Sequence, residues 1–520
     1  MRRTLLLLTV LAYAWLPQAV AQSRYLTQVF SGVTLTENVV YGNNISVITG
    51  APAAQDLKMN IYRPETDTNS NRPVVIIAHT GNFLPAILNG SPTGTMKDST
   101  VVELCVRLAK MGYVAISMDY RQGWAATNPS QTVQTSTLLI AAYRGIQDAR
   151  TCIRFLRKSV AEGGNPYGID PDKIVLGGVG TGGYISLGSA FLDDYEKIKL
   201  LKFSDVTTGL PYVDTTLHGN VWSTNTTPLN TPNHVAYNSE FNMAFNLGGA
   251  LGDSSWMDPG DIPVVSFHTP LDPFAPYEIG IVIVPTTNNT VIDEAAGSYT
   301  VAEVSNTFGN NDVFVNANIS DVYTTAANKL NGGNEGLFPF DRPFTPGQSI
   351  ACLPGVNIPY VPEGSPWSWW NEAAFIATWD AATGGVPFPG VVMNCRELAS
   401  NPDMSPTKGR TYIDSVIGYL APRMYAALDL SATSLEDDLL NQGISLYPNP
   451  AADAFVISNE MAANPIREVY LQDMTGRVVI RKSGLSLDDQ EINVRDLPGG
   501  VYLVTIQAEK GRVTRKVVIQ

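Results

Sequence analysis

Apolar and polar positions alternate with period two through TLTENVVYG and DLKMNIYRP, within residues 33–63, which predicts two antiparallel strands at a sheet edge. After a polar stretch, PVVIIAHTG is a continuous apolar run, suited to a strand covered on both faces. Over residues 98–111 the side chains Val101, Leu104, Cys105 and Leu108 recur at helical spacing behind an acidic start. YVAISMDYR reads as another buried strand. Residues 135–158 then set Leu139, Ala142, Ile146, Ala149, Ile153 and Leu156 along one face of a long amphipathic helix. KIVLGGVGTGGYISL (173–187) runs from a β-branched strand through a knot of glycines into a further helical segment. Strand and helix alternate three times. The pattern predicts an α/β fold, a mostly parallel sheet with helices on both faces.

Beyond this the pattern loosens. Residues 197–238 are polar, rich in Thr, Asn and Pro, and are expected over the sheet's upper edge. FNMAFNLGGALGD and DIPVVSFHTPLDPFAPY read as two further strands. Residues 278–362 lack a clear period and are read as an insertion on the body. Trp367, Trp369, Trp370, Phe375 and Trp379 fall in one helix-compatible stretch, a core helix by the commoner reading and a sugar-stacking platform by the other. Residues 410–430 look like a closing helix. Residues 435–443 read as a linker that ends the body (22–434). The pattern then changes to short alternating strands (ISLYPNPAADAFVIS, IREVYLQDMTGRVVIR, EINVRDLPGGVYLVTIQ, RVTRKVVIQ), a small β-sandwich over 444–520.

Length and charge sharpen this picture. A chain of 520 residues exceeds one ordinary core. Its opening, MRRTLLLLTVLAYAWLPQAVAQ, has the basic, apolar and A-x-A parts of a secretory signal peptide cleaved after Ala21. The apolar run is shorter than the ~20 residues of a membrane span, and no later stretch is long enough for one. The formal charge is −14; the leader holds +2 and residues 440–520 balance nine acidic against nine basic side chains, so the central portion carries −16. Such a surface disfavours nucleic acid and anionic lipid. In an oxidising compartment, Cys105–Cys152 (on neighbouring predicted helices) and Cys352–Cys395 are the expected pairings, with buried thiols the alternative. No metal-ligand spacing occurs; Asp170, Asp172, Asp193 and Asp194 lack the pattern of a calcium loop. No cofactor is expected.

Five of the seven residues 177–183 are glycine, as a tight turn needing positive φ and close backbone approach requires. The spacing Gly178, Gly180, Gly183, with Asp205 downstream, also fits a dinucleotide fingerprint, but three strands and two helices precede it, where a nucleotide-binding half would begin with this unit. A different likeness covers more of the chain. VVIIAHTGNF stands where carboxylesterases and acetylesterases carry an HGGG-like oxyanion loop. YVAISMDYR, AAYRGIQDARTCIRFLR and the glycine turn follow in order, and FHTPLDPFAPY stands where those enzymes carry an aspartate. Residues from about 55 to 275 thus resemble the α/β-hydrolase superfamily. Independently, YPNPAADAF, MTGRVV, LPGGVYLV and KVVIQ resemble the C-terminal sorting domain of the type IX secretion system of Bacteroidota. That resemblance implies the type IX machinery as a partner, passage across the outer membrane, and surface attachment or release.

The hydrolase resemblance implies a nucleophile, an acid and a histidine in that chain order. The nucleophile falls on Gly180, which has no side chain to attack with. Asp272 fills the acid position. The last histidine is His268, so none follows the acid. Thr181 carries a hydroxyl one residue on, but reads as a helix-start residue, and Ser186 as packed in the helix. His79 and His268 read as hydrogen-bonded structural residues; whether His218 and His234 reach the cleft is open. A serine at such a turn is held at a strain cost on the order of 1–3 kcal/mol, which glycine avoids. The oxyanion donors implied, backbone N–H groups of Thr181 and of the Gly81–Asn82 loop, survive the loss. The expectation is an exported protein of hydrolase fold with an incomplete triad, binding a small molecule or glycan or serving structurally. The alternative is an active esterase-like enzyme with a displaced nucleophile.

Overall fold

The computed structural model describes residues 24–283, 290–430, 443–459, 464–473, 477–483, 490–509 and 512–520. The signal-peptide reading (1–21), most of the linker reading and the first half of the MTGRVV motif lie outside the described residues. The chain divides into two compact units, one of residues 30–431 and one that takes in the described residues of 432–520.

In the larger unit the strands are β1 (Val33–Ser46), β2 (Ala53–Pro64), β3 (Arg72–Ala78), β4 (Val114–Met118), β5 (Ile169–Val179), β6 (Met243–Leu247) and β7 (Val264–His268). A hairpin of β8 (Ile279–Ile283) and β9 (Thr290–Ala296) follows, then β10 (Leu337–Pro339) and a second hairpin of β11 (Ser349–Leu353) and β12 (Val356–Pro359). All but the two hairpins form one sheet, ordered β1-β2-β4-β3-β5-β6-β7-β10. The first two strands are antiparallel; from β4 onward the sheet is parallel. β3 and β4 are buried at every position, as continuous apolar runs in a covered sheet should be. The stretch read as an insertion (278–362) supplies an edge strand, since β10 pairs with β7 in the main sheet.

Three crossover helices position the site: α1 (Ser99–Lys110), α2 (Gln131–Ala161) and α3 (Thr181–Phe191). Ser130 caps α2 by accepting a hydrogen bond from the Val133 N–H. The chain steps from β3 to β4 in one direction and from β4 past β3 to β5 in the other. Right-handed crossovers in opposite directions place α1 and α2 on opposite faces of the sheet. This corrects the expected Cys105–Cys152 disulfide: both are buried free thiols, with the sheet between them. The Cys352–Cys395 disulfide does form, 43 residues apart in sequence.

Two further expectations change. The polar segment expected over the sheet's upper edge packs in part along α2, where Arg150 donates to Val221 O, and Arg154 to Trp222 O and Asn233 O. The tryptophan-rich stretch is not one helix. After α4 (Ser298–Thr307) the next long helix is α5 (Glu372–Thr383), which holds only Phe375 and Trp379, while Trp367 and Trp369 are buried ahead of it. Helices α6 (Gly390–Ala399) and α7 (Pro406–Ala427) complete this unit's larger elements.

The smaller unit is all β. β13 (Ile444–Tyr447), β14 (Ala454–Asn459) and β17 (Gln490–Asn493) make one sheet; β15 (Ile466–Asp473), β16 (Val478–Ser483), β18 (Gly500–Ala508) and β19 (Arg512–Ile519) make the other. Alternate residues such as Phe455, Ile457, Val469, Leu471, Val504, Ile506 and Val517 form its shared core.

Candidate functional site

β5 ends at Val179 and α3 begins at Thr181, so one residue, Gly180, makes the turn between them, at φ 54° and ψ −117°. Few residues other than glycine adopt these angles without strain. The flanking glycines allow backbone to touch backbone: a Cβ on Gly182 would lie 2.1 Å from Ala78 O. At Gly180 the obstacle is different. A Cβ there would lie 2.2 Å from Thr80 Oγ1 and 3.0 Å from Thr80 Cβ. The threonine of the HTGN segment therefore fills the space over the turn.

Above the turn lies a cavity of about 420 Å³, bordered by Gly81, Asn82, Gly180, Thr181 and Asp272, so five residues singled out from the sequence come together. Thr181 stands at the helix start, where backbone N–H groups have no partner within the helix. Its hydroxyl is 3.4 Å from the Tyr120 hydroxyl, which itself donates to His79 O at 3.0 Å. Ser186 is buried, its Oγ against Gly183 O and Phe245 O.

Asp272 has a side chain only 4 % exposed. Its Oδ1 accepts the Phe274 N–H at 2.7 Å and the Ala275 N–H at 3.2 Å. Burial nevertheless pushes this carboxyl up to about 7, the two N–H donors offsetting only part of the effect. The segment against it is Gly364, where an added Cβ would lie 2.7 Å from Cγ and from both carboxylate oxygens. Gly364 thus packs directly against the carboxyl group of Asp272.

Among the described residues no histidine borders this cavity. His268 Nε2 is 3.9 Å from Asp272 Oδ2, beyond hydrogen-bond reach, and donates to Ala275 O at 3.1 Å. Its Nδ1 accepts from Ser298 Oγ at 2.8 Å, and burial holds the ring down to about 4, hence neutral. His79 is buried and stacked on Tyr120, its two ring nitrogens facing Thr80 O and Asp119 Oδ1. Burial opposes its charge, but these acceptors outweigh that and raise it. His234 bonds Tyr41 O, and His218 faces a different pocket.

Three residues of this site escaped the sequence reading. Thr80 had a signal, since it stands where the resembled loop carries glycine. Gly364 and Glu397 had none. Glu397, on α6, borders the cavity, accepts from Ser91 Oγ at 3.0 Å, and is pushed up to about 7 by burial.

Residues 59–208 match the family model BD-FAE, and residues 445–520 match that of the secretion system C-terminal sorting domain. No curated protein matches the chain. Among solved structures, native esterase 2 of Thermogutta terrifontis is similar at 19 % identity, over 48 % of this chain and 74 % of that one, with a TM-score of 0.28. Its butyrate-bound form gives 19 %, 48 %, 75 % and 0.28, and its paraoxon-phosphorylated form 21 %, 48 %, 74 % and 0.27. The sorting domain marks the chain for the type IX machinery and for export across the outer membrane, to the cell surface or the medium. No helix of the described residues is long and apolar enough to cross a membrane. The chain joins an esterase-like α/β-hydrolase body, matched over 59–208, to a C-terminal sorting domain of the type IX secretion system, matched over 445–520.

Proposed function

We propose that this exported chain is a binding protein on a hydrolase scaffold and does not turn over esters. The observation that carries this reading is the setting of Asp272. A triad aspartate works as an anion that orients and stabilises an imidazolium. Here the carboxyl is buried against the Gly364 backbone, titrates near 7, and has no ring nitrogen in hydrogen-bond reach. With no imidazole over Gly180 among the described residues, an alcohol in the cavity lacks the histidine that would take its proton and stays a poor nucleophile. Binding does not need that base. The N–H groups of Gly81, Asn82 and Thr181 suit a carbonyl or carboxylate oxygen, and a cavity of about 420 Å³ is ample for a small molecule or the end of a glycan.

One observation favours a second reading, an active carboxylic ester hydrolase. The Thr80 hydroxyl stands within 2.2 Å of where a side chain on residue 180 would begin, so an alcohol does occupy the turn. A single experiment separates the two readings. The purified full chain is offered short-chain nitrophenyl esters and a fluorophosphonate probe, followed by peptide mapping. We expect neither hydrolysis above buffer nor covalent label. A label on Thr80, Thr181 or any serine of the cavity overturns the binding reading.

A further inference from the structure

A second pocket, of about 310 Å³, shares the Trp124 indole with the first cavity. Val47, Ile48 and Ile140 give it apolar walls, and Arg144 and His218 are its charged and titratable groups. Helix α2 carries three buried arginines, and two of them are well supplied with acceptors. Arg150 donates to Val221 O, Ser189 O and Leu192 O; Arg154 donates to Asn233 O, Trp222 O and Thr151 Oγ1. Nearby Arg121 is paired with Asp148 and Gln147. Arg144 is the exception. It is 2 % exposed, its Nη2 donates to Gly123 O, and its Nε has no acceptor among the described residues. No described carboxylate forms an ion pair with it; Asp148 acts on it only through space and is held by Arg121. His218, 8 % exposed, has its Nδ1 buried with no partner. Burial first, and the Arg144 charge second, hold that imidazole down to about 4, so it adds no second positive charge.

A buried guanidinium without a paired counter-charge is costly, and a carboxylate offers it paired acceptors in the right plane. The apolar walls call for an apolar body on that carboxylate. The volume lies at the lower end of the about 300–1,000 Å³ typical of small-molecule sites. The geometry points to a second ligand site, formed by Arg144 and His218 under the β1–β2 hairpin tip, that takes a small organic carboxylate with an apolar body.

The test uses the full chain labelled with ¹³C at isoleucine methyls, titrated with benzoate and, separately, with the uncharged isostere benzamide. Benzoate is expected to shift Ile48 and Ile140 saturably, with benzamide at least tenfold weaker. Arg144→Met should weaken benzoate at least tenfold. Because that variant loses the bond to Gly123 O, Ile48→Trp provides a second test: it fills the pocket mouth, leaves Arg144 in place, and should abolish the Ile140 shift. Equal response to benzamide overturns the proposal by showing an apolar hole only. An equal response to chloride shows an adventitious ion only. Shifts confined to Ile292 of the first cavity, or no shift at all, overturn it as well.

Discussion

Replacing Asp272 with Asn tests the central physical claim about the cavity, that its acid is a buried, unpaired carboxyl. Burial moves the group from 3.8 to about 7. At about 1.4 kcal/mol for each tenfold change in proton affinity, that is at most about 4 kcal/mol. The sign follows from linkage. A carboxyl raised in the folded state contributes stability that is fully present below its unfolded value near 4, and loses it as pH rises through about 7. The native chain should therefore lose this contribution between pH 4 and pH 8, whereas the Asp272→Asn variant has none to lose. Asn keeps an oxygen for the Phe274 and Ala275 N–H groups but adds an NH₂ whose lost hydration costs about 1–2 kcal/mol. The expected result is a variant more stable by about 2–3 kcal/mol at pH 8, and equal or slightly weaker at pH 4.5. Glu397 also titrates near 7, but it is common to both proteins and drops out of the difference. The assay is urea unfolding followed by tryptophan fluorescence. Apart from Trp15, every tryptophan lies within residues 30–431, so the signal reports the larger unit alone. Destabilisation by several kcal/mol at pH 8 would refute the reasoning, because it would mean an ionised carboxylate held by a partner.

Gly180→Ser drives a Cβ to 2.2 Å from Thr80 Oγ1 and holds a serine at a positive φ; we expect a loss of about 2–6 kcal/mol, from overpacking and backbone strain together, and no ester turnover. Adding Thr80→Gly should recover the overpacking part of that loss, but not the backbone strain, in the same urea assay without restoring nitrophenyl ester hydrolysis, and turnover in either variant would contradict the account. Cys105 and Cys152 are buried with thiols pushed upward by burial. An aromatic disulfide reagent should find no fast-reacting thiol in the native chain, two after unfolding, and four after unfolding with reduction. Replacing Cys352 and Cys395 by Ser should cost the larger unit about 3–4 kcal/mol in urea unfolding, the loop-entropy value for a closure of this length.

Much of the architecture was legible along the chain because it is recorded locally. The apolar runs of β3 and β4 state that both faces are covered, and the periodicity of α1 and α2 states which face is packed. The alternating strands after residue 444 announce a separate all-β unit. The missing histidine after Asp272 is likewise a plain fact of the sequence. What no local pattern records is which distant segments are brought within a few ångströms. The two crossover directions decide that Cys105 and Cys152 lie on opposite faces of one sheet, though helix spacing alone made them neighbours. Tertiary approach alone sets Thr80 into the space over Gly180, lays Gly364 against Asp272 from 92 positions away, and leaves Arg144 without the acceptors its helix neighbours find. Periodicity reports how polar a residue's surroundings are on average. The identity of the atom facing it depends on strand order and loop path, and these exist only in the folded chain.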